Sequence, residues 1–381
     1  MLASGRLSYG PFTERFEAEV AAAHQVRSAI FCNSGTSALH CALAALREVD
    51  GWPDDAEVIV PAVSFVASAN VVLANRLAPR FVDVDPRTYC LDVERLAAAI
   101  GPRTRAIMPV HLFGLPCDME PILALARRHG LRVIEDSCQT MFVRYRGRPV
   151  GSFGDVACFS TRVSHLIATG IGGFVCANDP RLAAIARSLV NDGRAEEPPH
   201  AGSGGAGHFR FERVGFSYRA SELEAAIGVA QLEGHATMLA TRRRHAAALS
   251  ARLAPCADVV QRPTCPADRE HAYAMYPLVL SEAAPSKQSV TAALAARGVE
   301  TRDFLPLVSQ PFYRRRFGDL LADLPVARGL DARGFYVGCH DGLDADDVEW
   351  AAASIADAVG VETVASRVRS ERATRVAVGP A

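Results

Sequence analysis

Arg27-Ser28-Ala29-Ile30-Phe31-Cys32-Asn33-Ser34-Gly35-Thr36-Ser37-Ala38-Leu39-His40-Cys41-Ala42-Leu43-Ala44-Ala45-Leu46 joins an apolar run, a small polar turn and an alanine–leucine segment. It predicts a strand over 27–32 and a helix over 37–46. The turn between them places a glycine and hydroxyl side chains at the positive end of a helix, where backbone N–H groups suit a phosphate. A plain N-cap with no ligand is the other reading of the same residues.

Moving outward, the same alternation repeats. Strands are expected over 57–60, 80–84, 106–110 and 132–135, with helices over 67–75, 93–100 and 119–129 and Asp92 as an N-cap. Such alternation implies βαβ units, a mainly parallel sheet and an α/β fold. Ligands in these folds sit beyond the carboxyl ends of the strands. From Ser221, read as an N-cap, a single long helical pattern runs to about Leu253 and leads into a second, smaller domain. That domain has an apolar run over 273–280, a helix over 289–297 with Ser286 as N-cap, and a last helix over 344–359. The expected division is a large domain over 1–240, a small C-terminal α/β domain over 241–360 and a tail over 361–381. The stretch 201–207, rich in glycine, reads as a mobile loop.

Composition narrows the function. The chain has 381 residues, a formal net charge of −1 and 22 % charged residues, which argues against a nucleic-acid or anionic-membrane partner. A hydrophobic content of 49 % excludes intrinsic disorder. Ten cysteines without a CxxC pair read as free thiols, mostly buried, in a reducing compartment. Residues 1–13 carry no secretory pattern and no apolar run is long enough to span a membrane, so the expected location is the cytoplasm. Of 41 Lys plus Arg, one is lysine, Lys287, so 41 − 1 = 40 are arginine. Chemistry that needs a lysine amine has one candidate position.

Three more segments carry polar groups. Val133-Ile134-Glu135-Asp136-Ser137-Cys138-Gln139 ends an apolar strand in an acidic pair, where a carboxylate can hold a proton on a ring nitrogen of a cofactor. An acidic helix cap is the alternative. Phe159-Ser160-Thr161-Arg162-Val163-Ser164-His165 runs on to Gly172-Gly173, and Gly215-Phe216-Ser217-Tyr218-Arg219 precedes the long helix. His111 and Cys339-His340 are further polar candidates near a substrate, or else packed core groups.

In order and spacing, these segments resemble the DegT/DnrJ/EryC1/StrS family of pyridoxal-phosphate-dependent sugar aminotransferases. The resemblance spans about residues 8 to 360. It includes Gly10-Pro11-Phe12, Asn33 to Leu39, Val60-Pro61-Ala62 with Phe65, Phe81 to Asp85, Pro109 to Gly114, Glu135-Asp136, Gly151 to Asp155, Tyr218-Arg219 and Glu222 to Ala226. It implies an aspartate-aminotransferase-like fold (fold type I) and a homodimer with shared active sites. It also implies site roles. Gly35, Thr36 and Ser160 would hold the cofactor phosphate. Phe65 would stack on the pyridine ring, Asp136 would pair with the ring nitrogen, and Gln139 would lie near the ring hydroxyl. Ser217 stands where the family has an asparagine that reaches the neighbour's phosphate, and Arg219 would contribute across the interface.

One departure governs the functional expectation. The family's cofactor-binding lysine lies five residues after the phosphate-binding serine, and five after Ser160 is His165. An imidazole cannot make the covalent bond, but it can move protons. A branch of the family with the same lysine-to-histidine change comprises 3-dehydratases of nucleotide-activated 4-keto-6-deoxy sugars, which use pyridoxamine phosphate. The resemblance to that branch implies non-covalent pyridoxal 5′-phosphate or pyridoxamine 5′-phosphate, a nucleotide-linked sugar substrate, a dehydratase (lyase) activity in deoxysugar biosynthesis, and His165 as acid and base. Here Arg162-Val163 and Leu166 replace that branch's aromatic-proline pair and second histidine, so the sugar can differ. No clustered cysteine set suggests a metal or an iron–sulfur cluster. Amino transfer from glutamate or glutamine, and a non-catalytic cofactor-binding protein, remain the alternatives.

Overall fold

The computed structural model describes residues 5–195 and 210–361. The glycine-rich stretch 201–207 and the tail beyond 361 lie outside them. Two compact units emerge, one built from the described residues up to Ala236 with Pro266–Ala272, the other from Thr237–Cys265 and the described residues from Tyr273 on.

In the first unit the strands are β1 (Ser28–Cys32), β2 (Glu57–Pro61), β3 (Ala78–Val82), β4 (Thr104–Ile107), β5 (Arg132–Asp136), the hairpin β6 (Arg144–Tyr145) and β7 (Arg148–Pro149), β8 (Val156–Ser160) and β9 (Gly173–Ala177). Its helices are α1 (Pro11–His24), α2 (Gly35–Asp50), α3 (Ala67–Ala74), α4 (Val93–Ala99), α5 (Met119–His129), α6 (Pro180–Val190) and α7 (Glu222–Glu233). Seven strands form one sheet in the order β1-β9-β8-β5-β4-β2-β3. The strands from β8 to β3 are mutually parallel, and β9 runs antiparallel to both neighbours. The chain returns from β8 to β9 through a twelve-residue loop that forms no crossover helix. Strands β2 and β8 are buried at every position, as a sheet covered on both faces requires.

Two of the quoted motifs meet in the packing of α1 on α7. Gly10, the N-cap of α1, has no side chain to cap the helix. Glu222, the first residue of α7, does so instead: its carboxylate accepts the N–H groups of Gly10 (2.9 Å), Phe12 (3.0 Å) and Thr13 (2.8 Å). Burial opposes that charge, but these bonds and the Thr13 hydroxyl hold the carboxyl below its usual range. Beneath them Phe16, Phe31 and Phe174 pack edge-on or tilted at 4.8–5.0 Å between centroids.

The second unit contains most of α8 (His235–Arg252), then β10 (Val260–Gln261), β11 (Tyr276–Leu280), α9 (Lys287–Ala295), β12 (Thr301–Asp303), α10 (Pro311–Phe317), α11 (Pro325–Arg333), β13 (Gly334–Val337) and α12 (Ala345–Ala358). Its four strands, in the order β10-β11-β13-β12, are antiparallel throughout. Leu249, Tyr276, Leu278, Phe335 and Ile355 lie in its core. The single helix expected from Ser221 to Leu253 is two helices, since the chain breaks at Gly234 between α7 and α8. The strands expected at 80–84 and 106–110 begin and end two or three residues earlier. Their last expected residues form isolated bridges instead, Val84 with Leu91 and Val110 with Asp136. No helix among the described residues is long and apolar enough to cross a membrane.

Candidate active site

The start of α2 is shaped by small residues. Ser34 is the N-cap, with extended backbone (φ −169°), and its Oγ accepts the Ser37 N–H at 3.0 Å. The helix offers no partner to the N–H groups of Gly35 and Thr36, which precede its first internal bond. Glycine is required at 35 by close approach: a Cβ there would lie 2.7 Å from Ser160 Cβ and 2.8 Å from Cys138 Sγ. Gly173, paired with Ser160 across β8 and β9, approaches just as closely, since its Cβ would lie 2.5 Å from Gly35 N. Helix dipole, free N–H groups and the Ser160 hydroxyl thus converge in one cup, with Thr36 exposed at its lip.

Asp136 ends β5 at the same carboxyl edge and is 4 % exposed. Its Oδ2 accepts the Ser68 hydroxyl at 2.7 Å and its Oδ1 the Cys138 N–H at 3.2 Å. Burial pushes this carboxyl up, and the Ser68 and Cys138 bonds pull against that. Ser68 also meets Ser64 at 2.8 Å. Between these serines in the chain lies Phe65, a large apolar residue 45 % exposed. Gln139 Oε1 accepts the N–H of Phe113 at 3.0 Å, fixing its amide three residues beyond Asp136.

Glu135, the neighbour in the acidic pair, serves a different purpose. It accepts the N–H groups of Gly151, Phe153 and Gly154 at 2.7–2.8 Å and meets His111 Nε2 at 3.1 Å. The Cys117 N–H donates to His111 Nδ1 at 3.0 Å, so Nε2 carries the proton and donates to Glu135. Burial opposes the Glu135 charge, but His111 and these N–H groups outweigh it and hold the carboxyl below its usual range. His111 is a fully buried member of this network, and Cys339 lies in the core of the second unit.

His165 lies on the loop from β8 to β9. Its Nδ1 is enclosed and has no hydrogen-bond partner among the described residues. Burial pushes the imidazole down to about 4, opposed by a backbone hydrogen bond at Ser160 and reinforced by the Arg162 charge. The ring is therefore neutral at pH 7, with a lone pair to accept a proton. Lys287, the one lysine, lies in the second unit. It is the first residue of α9, and its Nζ, half-buried, donates to the Asp331 carbonyl at 2.6 Å and pairs with Asp303 at 3.2 Å.

Ser217 and Arg219 run beside the Asn33–Gly35 turn of their own chain. Arg219 bridges Cys32, and the Asn33 N–H donates to the Tyr218 carbonyl at 2.7 Å. The Arg219 guanidinium bonds Asn191, Asp192 (2.6 Å) and Ser217 (3.1 Å), so it arrives with a carboxylate already attached. Asn191, Asp192 and Ser68 were not read from the sequence. Each is visible only once segments far apart in the chain are brought together.

These residues fit a phosphorylated pyridine cofactor. The cup at Gly35 supplies donors for an anion, a large apolar ring is left open at Phe65, and a buried carboxylate suits a basic ring nitrogen. The model of the DegT/DnrJ/EryC1/StrS aminotransferase family matches residues 1–356. Over 344 residues the chain is 40 % identical to GDP-perosamine synthase of Caulobacter vibrioides, covering 90 % of this chain and 88 % of that protein. The crystal structure of an aminotransferase from Psychrobacter cryohalolentis superposes with a TM-score of 0.86 at 28 % identity, covering 93 % of each chain. A GDP-4-keto-6-deoxymannose-3-dehydratase variant with bound GDP-perosamine superposes with a TM-score of 0.85 over 93 % of this chain and 95 % of that one. At 23 % identity that likeness speaks to the fold alone.

Proposed function

This chain belongs to the DegT/DnrJ/EryC1/StrS aminotransferase family, and we propose that it dehydrates a nucleotide-linked keto sugar with a cofactor held without a covalent bond. One observation carries the reading. His165, which the family resemblance puts at the lysine position, is a neutral imidazole with an enclosed Nδ1, and the sole lysine is bound to the Asp303 carboxylate and the Asp331 carbonyl in the second unit.

Pyridoxamine phosphate, when bound, supplies an amine for a ketone and a ring that takes up electrons. The chain's residues do the rest. Gly35 and Thr36 bind the phosphate through backbone N–H groups and Ser160 through its hydroxyl. Asp136 presents a negative charge to the ring nitrogen, Phe65 stacks on the ring, and Gln139 hydrogen-bonds beside it. Ser217 and Arg219 serve the phosphate end of a site shared between two copies. Leu7, Leu223 and Ile227, all exposed, are suited to meeting that second copy. His165 accepts a proton on its imidazole and returns it, the two halves of general base and general acid catalysis.

A second reading, amino transfer from glutamate, draws support from the 40 % identity with a GDP-perosamine synthase. The test is to incubate the protein with pyridoxamine phosphate and a GDP-linked 4-keto-6-deoxy sugar and weigh the product. Loss of the mass of one oxygen atom from the sugar, with ammonia released and the cofactor amine converted to an aldehyde, supports dehydration. A glutamate-dependent gain of an amine supports transfer and overturns dehydration. No change with any keto sugar overturns both and favours a binding protein.

A further inference from the structure

The loop that carries His165 leaves the sheet at Ser160 and re-enters it at Gly173. Four backbone bonds brace it: Thr161 N–H to Gly172 (2.9 Å), Thr169 N–H to Thr161 (2.8 Å), Val163 N–H to Gly170 (3.1 Å) and His165 N–H to Arg162 (2.9 Å). At its base sit two buried hydroxyls. Thr161 Oγ1 lies 2.7 Å from Thr169 Oγ1, and Thr169 Oγ1 lies 2.9 Å from the Ile171 carbonyl and 3.2 Å from that of Thr161. Each hydroxyl has one proton, and one arrangement uses both well. Thr161 donates to Thr169, and Thr169 donates to Ile171, the nearer carbonyl. The space is full, since a Cβ at Gly172 would lie 2.3 Å from Thr161 Oγ1 and 2.9 Å from Thr169 Oγ1. Leu166 and Ile167, directly after His165, are buried.

We infer that Thr161 and Thr169 are positioning residues, whose paired hydroxyls lock the base of this loop and hold the His165 imidazole in place. Among the described residues the two hydroxyls bond each other and the Thr161 and Ile171 carbonyls rather than Gly35, Ser160 or Asp136, so their effect is expected on His165 more than on cofactor affinity. Its kinetic consequence rests on His165 being the proton-transfer group. The placement itself does not.

The test compares Thr169→Val, which removes the hydroxyl at equal size, Thr169→Ala, a smaller deletion, and Thr169→Ser, which keeps the hydroxyl, all in the full chain. The readouts are the His165 titration midpoint by NMR without cofactor, hydrogen exchange of the 161–172 amides, pyridoxamine phosphate affinity, and kcat with KM. In the Val or Ala variant we expect the midpoint to rise toward that of a free imidazole and the amides to exchange faster. Cofactor Kd should stay within about threefold, and kcat should fall about tenfold or more. Ser should behave as wild type. An unchanged midpoint and exchange in the folded Val or Ala variant overturns the inference, as does an equal change in the Ser variant. Should the midpoint move while the wild-type protein turns over no sugar, the positioning role stands and the functional reading falls.

Discussion

Acidification from pH 7 to pH 5 should leave His165 almost wholly neutral. Burial holds its folded pKa at about 4, below the ordinary imidazole value of 6.5. The enclosure favours the neutral ring in the folded chain by roughly 3 kcal/mol. At pH 5 about 0.9 of such a ring is neutral, against about 0.03 for an unshifted imidazole, a difference of about thirtyfold. The sign for stability follows. Because the folded pKa is depressed, this contribution is complete above the unfolded value of 6.5 and is lost progressively as pH falls to about 4. Two measurements check this, kcat/KM from pH 4.5 to 8 and the NMR midpoint of His165. The activity should hold to about pH 5 before its acid limb. A limb and a midpoint both near 6.5 would refute the enclosed, neutral imidazole.

Other consequences can be measured separately. His24 is fully buried and also pushed down to about 4, chiefly by burial, with the Val150 carbonyl as its Nδ1 partner. His24→Phe should remove roughly 3 kcal/mol, at most, of the pH-dependent stability that wild type loses between pH 6.5 and 4, read from urea midpoints at the two ends. Glu222→Ala strips the cap from α1 and should cost about 3 kcal/mol at pH 7, measured by denaturant unfolding. Asp136→Asn should weaken pyridoxamine phosphate binding tenfold or more by fluorescence titration, with an unfolding midpoint near that of wild type. His165→Asn should keep the cofactor and lose about 10²- to 10⁴-fold in kcat.

Local signals were legible in the sequence. Asp92, Ser221 and Ser286 are N-caps as read, and Ser221 completes a capping box, because a cap depends on neighbours three residues away, while Asp344, read as the first residue of the last helix, is its N-cap. The phosphate turn and the acidic strand end were visible for the same reason. What escaped depends on distant partners. The break at Gly234 has no local mark beyond one glycine. The antiparallel course of β9 shows only in its pairing with β1 and β8, and the place of Lys287 depends on the Asp303 carboxylate and the Asp331 carbonyl. Ser68, Asn191 and Asp192 gain their places only through pairings across the sheet edge. His165 stood out because its family position is specific. Its enclosure, which keeps the ring neutral down to about pH 5, comes from the fold around it.

The most direct measurement of the central claim is borohydride reduction of the cofactor-loaded protein followed by intact mass, done on wild type and on His165→Lys. Wild type should keep its unmodified mass, and His165→Lys should gain a reduced cofactor attached at position 165. Covalent cofactor on the wild-type chain, at Lys287 or elsewhere, would contradict a site that works without a lysine bond.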